Sequence, residues 1–428
     1  MESYKISGGV PLRGTVEVSG SKNAALALMA GSLLIEGEVV LHNVPQIEDV
    51  NTMLALIAGL GVQYEWQGSS LYLNTRELTN AEPDPKLVNR MRASFYIFGP
   101  LLARLGYARM PQPGGCQIGS RPVNFHLNGL RALGAEIREE QSLYFARANG
   151  LRGTRLYLDV PSAGATQQLM TAAVYAQGLT IIENAAMEPE VVNLANFLNA
   201  AGAHIEGAGT STLYIEGVRQ LRTFVEYTVI PDRLEAGTFA IAGAITRGEI
   251  VIERVIPEHL HSLLAKLGES GVEVQETETS IMIRARDPLL AVDIRTLPYP
   301  GFPTDLQQPM CAYLSLVQGA SVVHETIYEN RIQHVPELQR MGADMIVEGR
   351  TILIRGVPCL KGARVRASDL RGGAALVLAA LAAEGTSHVG EVYHIDRGYE
   401  RLEEKLKGLG AQIERVKPYA AVNPLPVD

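Results

Sequence analysis

Apolar positions along the chain fall into a long-period pattern. A glycine followed by a strand-like apolar run occurs six times. The runs are G-E-V-V-L-H-N-V from Gly37, G-Y-A-R-M from Gly106, G-L-T-I-I-E-N-A from Gly178, G-E-I-V-I-E-R-V from Gly248, G-A-S-V-V-H-E-T from Gly319 and G-T-S-H-V-G-E-V from Gly385, spaced 66 to 72 residues apart. A second marker keeps the same period: a glycine that closes a leucine-patterned helix and opens an alternating strand, at Gly61, Gly134, Gly202, Gly271, Gly342 and Gly410. Two independent markers on one period define a sixfold internal repeat.

Within each unit the pattern predicts strand, helix, strand, helix and a closing strand pair. The helix ahead of the first marker is apolar on nearly every side, most clearly over 24–34 and 374–383, and a helix of that kind must be buried. The second helix, as over 401–409, is amphipathic and can face solvent. A chain of 428 residues is too long for one ordinary core, so the reading is an α/β protein of two domains with three units each, helices inside and sheets around them. The period and strand count fit neither a dinucleotide-binding sheet nor a (β/α)8 barrel. One unit departs from the others. The two markers lie 23 to 25 residues apart in five units and 28 apart between Gly106 and Gly134. The extra length falls on M-P-Q-P-G-G-C-Q-I-G-S-R-P, an inserted loop carrying Cys116.

Composition narrows the function. Three widely spaced cysteines suggest neither a disulfide framework nor a zinc pattern. A net charge of −8 argues against non-specific nucleic-acid binding. No basic-then-apolar leader opens the chain and no apolar run is long enough to span a bilayer. A soluble cytoplasmic protein is expected. There is no phosphate-binding G-x-x-x-x-G-K-[ST] and no H-E-x-x-H, and the pair His259 and His261 reads as a solvated helix start, not a metal site. Cys311, in an apolar helix, and Cys359, near a strand end, read as packing residues.

The starts of the buried helices are where polar residues concentrate. They carry Lys22 and Asn23, Arg92, Ser162 and Thr166, Asp232 with Arg233 and Glu235, Asp305, and Asp369 with Arg371. Ser162 and Asp369 are expected N-caps. Capping does not account for Lys22, Arg92 and Arg371, because a cation at a helix N-terminus opposes the macrodipole. Cations at three equivalent starts point to an anionic ligand, phosphate or carboxylate.

Taken as a whole, the chain resembles the enolpyruvyl transferase family, and within it the members acting on UDP-N-acetylglucosamine. The stretches that carry the resemblance are V-S-G-S-K-N-A-A-L at 18–26, G-G-C-Q-I-G-S-R-P-V-N-F-H at 114–126, I-I-E-N-A-A-M-E-P-E at 181–190, P-D-R-L-E-A-G-T at 231–238, G-F-P-T-D-L-Q at 301–307, E-N-R at 329–331 and Y-H-I-D-R-G-Y-E-R-L-E-E-K-L at 393–406. The resemblance implies two inside-out α/β barrels of three βαβαββ units each, one over 22–230 and the other over 1–21 with 231–428. It implies transfer of the enolpyruvyl group of phosphoenolpyruvate to the 3-hydroxyl of UDP-N-acetylglucosamine with loss of phosphate, at the first committed step of peptidoglycan synthesis. No cofactor or metal is implied, and the partners are these two small molecules.

By the same resemblance Cys116 is the acid that protonates the methylene carbon and Asp305 is the base. Lys22, Arg121 and Arg397 clamp the phosphate, Arg331 and Arg371 hold the carboxylate, and Asn23 positions the reacting groups. Arg92, Arg121, Pro122, Val123, Asn124, Phe125, Ser162, Ala163, Gly164 and Ile327 match sugar-nucleotide contacts. The family's usual R-P-V-D-L reads R-P-V-N-F here, with Asn124 and Phe125 as the departures. Two rival readings are a transferase acting on shikimate 3-phosphate and a catalytically silent sugar-nucleotide binder.

Overall fold

The computed structural model describes residues 2–114, 118–119 and 122–417. The chain divides into two compact units. The first comprises Val18–Arg233 with Leu297–Pro303, and the second comprises Met1–Glu17, Leu234–Thr296 and Thr304–Asp428. Nothing in the repeat pattern announces the excursion of Leu297–Pro303 into the first unit.

Each marker glycine of the first kind opens a strand. In the first unit that strand is Glu38–His42, Tyr107–Pro111 or Leu179–Glu183, and in the second it is Glu249–Glu253, Ala320–His324 or Thr386–Gly390. Five of the six sheets have four strands in one order: a parallel leading strand, the marker strand, then two antiparallel strands. Among the described residues, the sheet of Tyr107–Pro111 has three strands and no leading one. Three strands reach their sheets from far away in sequence. Phe224–Thr228 leads Glu38–His42, Arg13–Glu17 leads Glu249–Glu253, and Ser3–Ser7 lies between Thr386–Gly390 and Gln412–Val416.

The six helices ahead of the markers are α1 (Lys22–Ser32), α2 (Phe98–Leu105), α3 (Ala163–Ala173), α4 (Arg233–Ile245), α5 (Gln307–Leu314) and α6 (Leu370–Ala382). Every residue of α1 from Ala24 onward is buried, as is α6 from Leu370 to Leu381. Burying a leucine such as Leu28 contributes about 1.5–3 kcal/mol. Small residues let these helices approach closely: a Cβ on Gly99 of α2 would lie 2.6 Å from the Gln168 carbonyl oxygen of α3. No helix among the described residues is long and apolar enough to cross a membrane.

The second marker has a single backbone cause. All six of its glycines have φ between +92° and +108°, the left-handed conformation that ends a helix and that side chains other than hydrogen resist. Gly342 has no atom within 4 Å of the place a Cβ would occupy, whereas at Gly61 the Glu77 carbonyl oxygen would be 2.3 Å away. Gly342→Ala is therefore expected to cost only backbone strain, about 1–2 kcal/mol, and Gly61→Ala more. Urea denaturation of the two variants checks this; equal losses would refute the added steric term.

Candidate active site

The start of α6 in the second unit is a dense polar cluster. Asp369 caps the helix, its Oδ1 accepting from the N–H groups of Arg371 and Gly372 at 3.0 Å each, as expected for an N-cap. Its Oδ2 accepts from Ser368 and from Gln308 of α5. Burial works against the Asp369 carboxylate, but Arg331 and these hydrogen bonds outweigh it and hold its pKa below the usual range.

Asp305, Arg331 and Arg371 meet directly. Arg331 Nη1 lies 2.8 Å from Asp305 Oδ1, and Arg371 Nε lies 3.3 Å from Asp305 Oδ2. Arg331 also donates to Thr304 Oγ1 at 2.8 Å and to Gln308 Oε1 at 3.4 Å. The two arginine side chains are almost fully buried, at 4% and 2% exposure, while Asp305 keeps 27%. The carboxylate is thus the member that a small molecule reaches first. Burial alone would depress the Arg331 pKa; Asp305 and Asp369 reverse that and push it up.

Behind this cluster stands Glu325, a fully buried carboxylate. It accepts from Thr296 Oγ1, Thr304 Oγ1 and the Ile327 N–H, each at 2.8 Å, and from the Tyr328 N–H at 3.1 Å. The Ile327 N–H is therefore engaged, and what this residue can offer a ligand is its carbonyl and side chain. Arg397 caps the short helix Tyr393–Asp396. Two residues on, the Tyr399 ring lies 5.1 Å from Arg371 Cζ, so the segment carrying Arg397 packs at the start of α6.

In the first unit, Lys22 opens α1. Its N–H donates to Asp232 Oδ2 at 2.9 Å, and its Nζ lies 3.2 Å from Asp49 Oδ2. Asn23 follows in the same turn. Next to Asp232, Arg233 forms a two-pronged bridge to buried Glu190, at 3.0 and 3.3 Å. A second group of residues gathers at three other helix starts. Ser162 caps α3, accepting from the Ala165 N–H. A Cβ on Gly164 would touch the His126 and Tyr96 rings at 3.4 Å. His126 belongs to the helix Asn124–Ala132 that also carries Phe125 and follows Pro122 and Val123, and Tyr96 to the 3-10 helix opened by Arg92. The predicted sugar-nucleotide residues at Arg92, 122–125 and 162–164 are thus drawn together. Cys116 and Arg121 lie outside the described residues.

The remaining cysteines and histidines differ in setting. Cys311 is fully buried and burial pushes its thiol pKa up, in keeping with a packing role, whereas Cys359 is only half-buried. His259 lies half-buried within the 3-10 turn Pro257–Leu260, unlike the solvated position expected, while His261 is exposed and opens the helix His261–Glu269. Asp49, Asp232, Glu190 and Glu325 were not singled out in the sequence for these roles. Asp49, Asp232 and Glu190 each serve a group 27 to 210 residues away, and Glu325, though inside the fifth marker run, serves Thr296 and Thr304, 29 and 21 residues away, so only the fold reveals the pairing.

Comparison with known proteins places the chain among the enolpyruvyl transferases. The chain matches the EPSP synthase (3-phosphoshikimate 1-carboxyvinyltransferase) family over residues 6–406 and belongs to that family. It is 54% identical over 418 residues to UDP-N-acetylglucosamine 1-carboxyvinyltransferase 2 of Carboxydothermus hydrogenoformans, covering 97% of this chain and all of that one. It is 50% identical to UDP-N-acetylglucosamine 1-carboxyvinyltransferase of Trichormus variabilis, covering 96% and 93% of the two chains. Among solved structures it is similar to the enolpyruvyl transferase NikO of Streptomyces tendae, with a TM-score of 0.88, 26% identity and coverage of 97% and 99%. The fold is also that of EPSP synthase from Acinetobacter baumannii, with a TM-score of 0.77, 18% identity and coverage of 97% and 100%.

Two buried histidines give the site regions a pH signature. His126 bonds Gln168, but burial, helped by Arg92, pulls its pKa down to about 4. Burial does the same to His334, with Arg331 adding to it and Asp369 opposing, again to about 4. Both values lie below the unfolded pKa of roughly 6.5, so below that pH the unfolded chain binds more protons and native stability falls. Each histidine is expected to remove roughly 1–2 kcal/mol between pH 7 and pH 5. Urea denaturation at pH 7, 6 and 5 tests it: His126→Gln and His334→Gln should each flatten the pH dependence. An unchanged slope in both variants would contradict it.

Proposed function

We propose that the protein transfers the enolpyruvyl group of phosphoenolpyruvate to the 3-hydroxyl of UDP-N-acetylglucosamine and releases inorganic phosphate. The observation that carries this reading is identity of about half, over nearly the whole chain, to relatives named for that reaction. The same relationship supports a role in the first committed step of peptidoglycan synthesis, in the cytoplasm, with no cofactor. Three sheets and three buried helices in each unit support reading each as an inside-out α/β barrel.

The chemistry assigns one job to each group. The Cys116 thiol gives its proton to the methylene carbon of phosphoenolpyruvate. The sugar hydroxyl adds to the neighbouring carbon and loses its proton to Asp305, giving a tetrahedral ketal. The ketal then expels phosphate, which takes the proton held by Asp305, as the methyl group returns a proton to the Cys116 thiolate, restoring the double bond and both starting groups. Lys22, Arg121 and Arg397 take the phosphate, and Asn23 orients the reacting groups. Arg331 and Arg371 take the carboxylate of phosphoenolpyruvate. Both of these arginines already bind Asp305, so an incoming carboxylate competes for the same donors. That exchange frees an Asp305 oxygen for the hydroxyl proton at the moment substrate arrives. Arg92, Pro122, Val123, Asn124, Phe125, Ser162, Ala163, Gly164 and Ile327 hold the sugar nucleotide.

Phosphate release from phosphoenolpyruvate is the test. It is expected with UDP-N-acetylglucosamine and absent with shikimate 3-phosphate; release only with the latter, or with neither, would overturn the reading. Cys116→Ser and Asp305→Ala are each expected to lower kcat by about 10²-fold or more while sugar-nucleotide binding persists, and near-normal turnover of either would remove its assigned role.

A further inference from the structure

Arg415, in the strand Gln412–Val416, has no part in the scheme above, yet its guanidinium meets three carboxylates. Nη1 donates to Asp396 Oδ2 and Glu2 Oε2, each at 2.9 Å. Nη2 donates to Asp396 Oδ1 at 2.6 Å and to the Tyr4 hydroxyl at 2.7 Å. Nε donates to Glu403 Oε1 at 2.7 Å. The Tyr4 ring lies 5.0 Å from Arg415 Cζ, and the Tyr4 hydroxyl donates onward to Glu403 Oε2 at 2.9 Å. Such a cluster can staple the first strand, Ser3–Ser7, to the last. The grip on Asp396 does something more specific. It is the two-pronged arginine–carboxylate fork, which fixes direction as well as distance.

Asp396 is the last residue of the short helix Tyr393–Asp396, and Arg397 follows it directly. On the far side, Tyr399 is anchored through its hydroxyl, 2.8 Å from Thr238 Oγ1, and its N–H donates to Ile395 O at 3.0 Å. Arg397 thus leaves the chain between two fixed points, one held by Arg415 and the other by α4. We infer that Arg415 is a positioning residue: through the fork on Asp396 it sets the direction in which Arg397 presents its guanidinium to the phosphate of phosphoenolpyruvate. This rests on the assignment of Arg397 to that phosphate. A group held about an ångström out of place can lose much of its effect on the reaction.

The test is phosphate release with phosphoenolpyruvate varied at saturating UDP-N-acetylglucosamine, and the reverse, with Tm measured in parallel. Arg415→Lys keeps the charge and loses the fork, and Asp396→Asn loses the carboxylate. Each is expected to raise KM for phosphoenolpyruvate roughly tenfold and to leave KM for the sugar nucleotide within about twofold. Glu2→Gln and Glu403→Gln remove the other partners of the same guanidinium. They are expected to lower Tm while leaving KM for phosphoenolpyruvate within about twofold. If all four variants shift KM in proportion to their loss of Tm, Arg415 is only a staple and the inference falls. It falls equally if Arg415→Lys and Asp396→Asn leave KM for phosphoenolpyruvate unchanged while Arg397→Gln raises it. An Arg397→Gln variant with unchanged KM would overturn the role of Arg397 itself and this inference with it.

Discussion

A cation at the first turn of a buried helix must be given an anion, and most of the site chemistry follows from that requirement. The helix dipole and desolvation both act against the charge. Removing the cation would be simpler for stability alone, since well-packed apolar groups often replace a buried ion pair without loss. Here the cations stay, and protein carboxylates neutralise them: Asp49 for Lys22, Asp305 for Arg371, and Glu190 for Arg233. The sequence pattern had pointed to a ligand anion at these starts. In the structure the anions beside Lys22 and Arg371 are the protein's own; under the proposed function they are the groups a ligand displaces.

The repeat sets where those groups can be. A helix buried along its length, as α1 and α6 are, has no exposed flank on which to carry charged side chains, so charge is confined to its ends. The glycine that ends the amphipathic helix and the glycine that opens the marker strand hold the period, and the N-terminal ends of α1 to α6 recur at matching places in every repeat. Variation can then accumulate at the helix starts without disturbing the core. Asp369 shows the compromise at one residue: one oxygen caps the helix as any aspartate would, and the other helps hold Gln308 and, through it, Arg331.

What was legible in the sequence divides along the same line. The six repeats, the buried helices and the caps at Ser162 and Asp369 depend on local periodicity and local hydrogen bonds, and both leave a signature within a few residues. Asp232 was read as a polar start of its own helix, yet it accepts from the N–H of Lys22 at the start of another, 210 residues away. Glu325 and Asp49 look in sequence like any carboxylate after a strand or early in a helix. The leading strands Phe224–Thr228 and Arg13–Glu17 pair with partners whose register no neighbouring residue reveals. Long-range pairing is a property of the closed-up chain, and alternation alone does not encode it.

Under the proposed function, in which Asp305 is the base, its cluster also accounts for a base kept beside two arginines. A carboxylate bound by two guanidiniums is a poor proton acceptor while its lone pairs are engaged, which protects the resting protein from an uncompensated buried charge. A substrate bearing its own carboxylate replaces one anion by another at the arginines, so the net charge of the pocket walls is conserved as Asp305 is released. A neutral substrate could not make that exchange without leaving a buried arginine unpaired, at a cost of several kcal/mol. Selectivity for an anionic enol substrate and activation of the base are on this reading a single electrostatic event. Glu325 supports it from behind: with four donors satisfied it holds Thr304 rigid, and Thr304 in turn keeps Arg331 in place after Asp305 lets go.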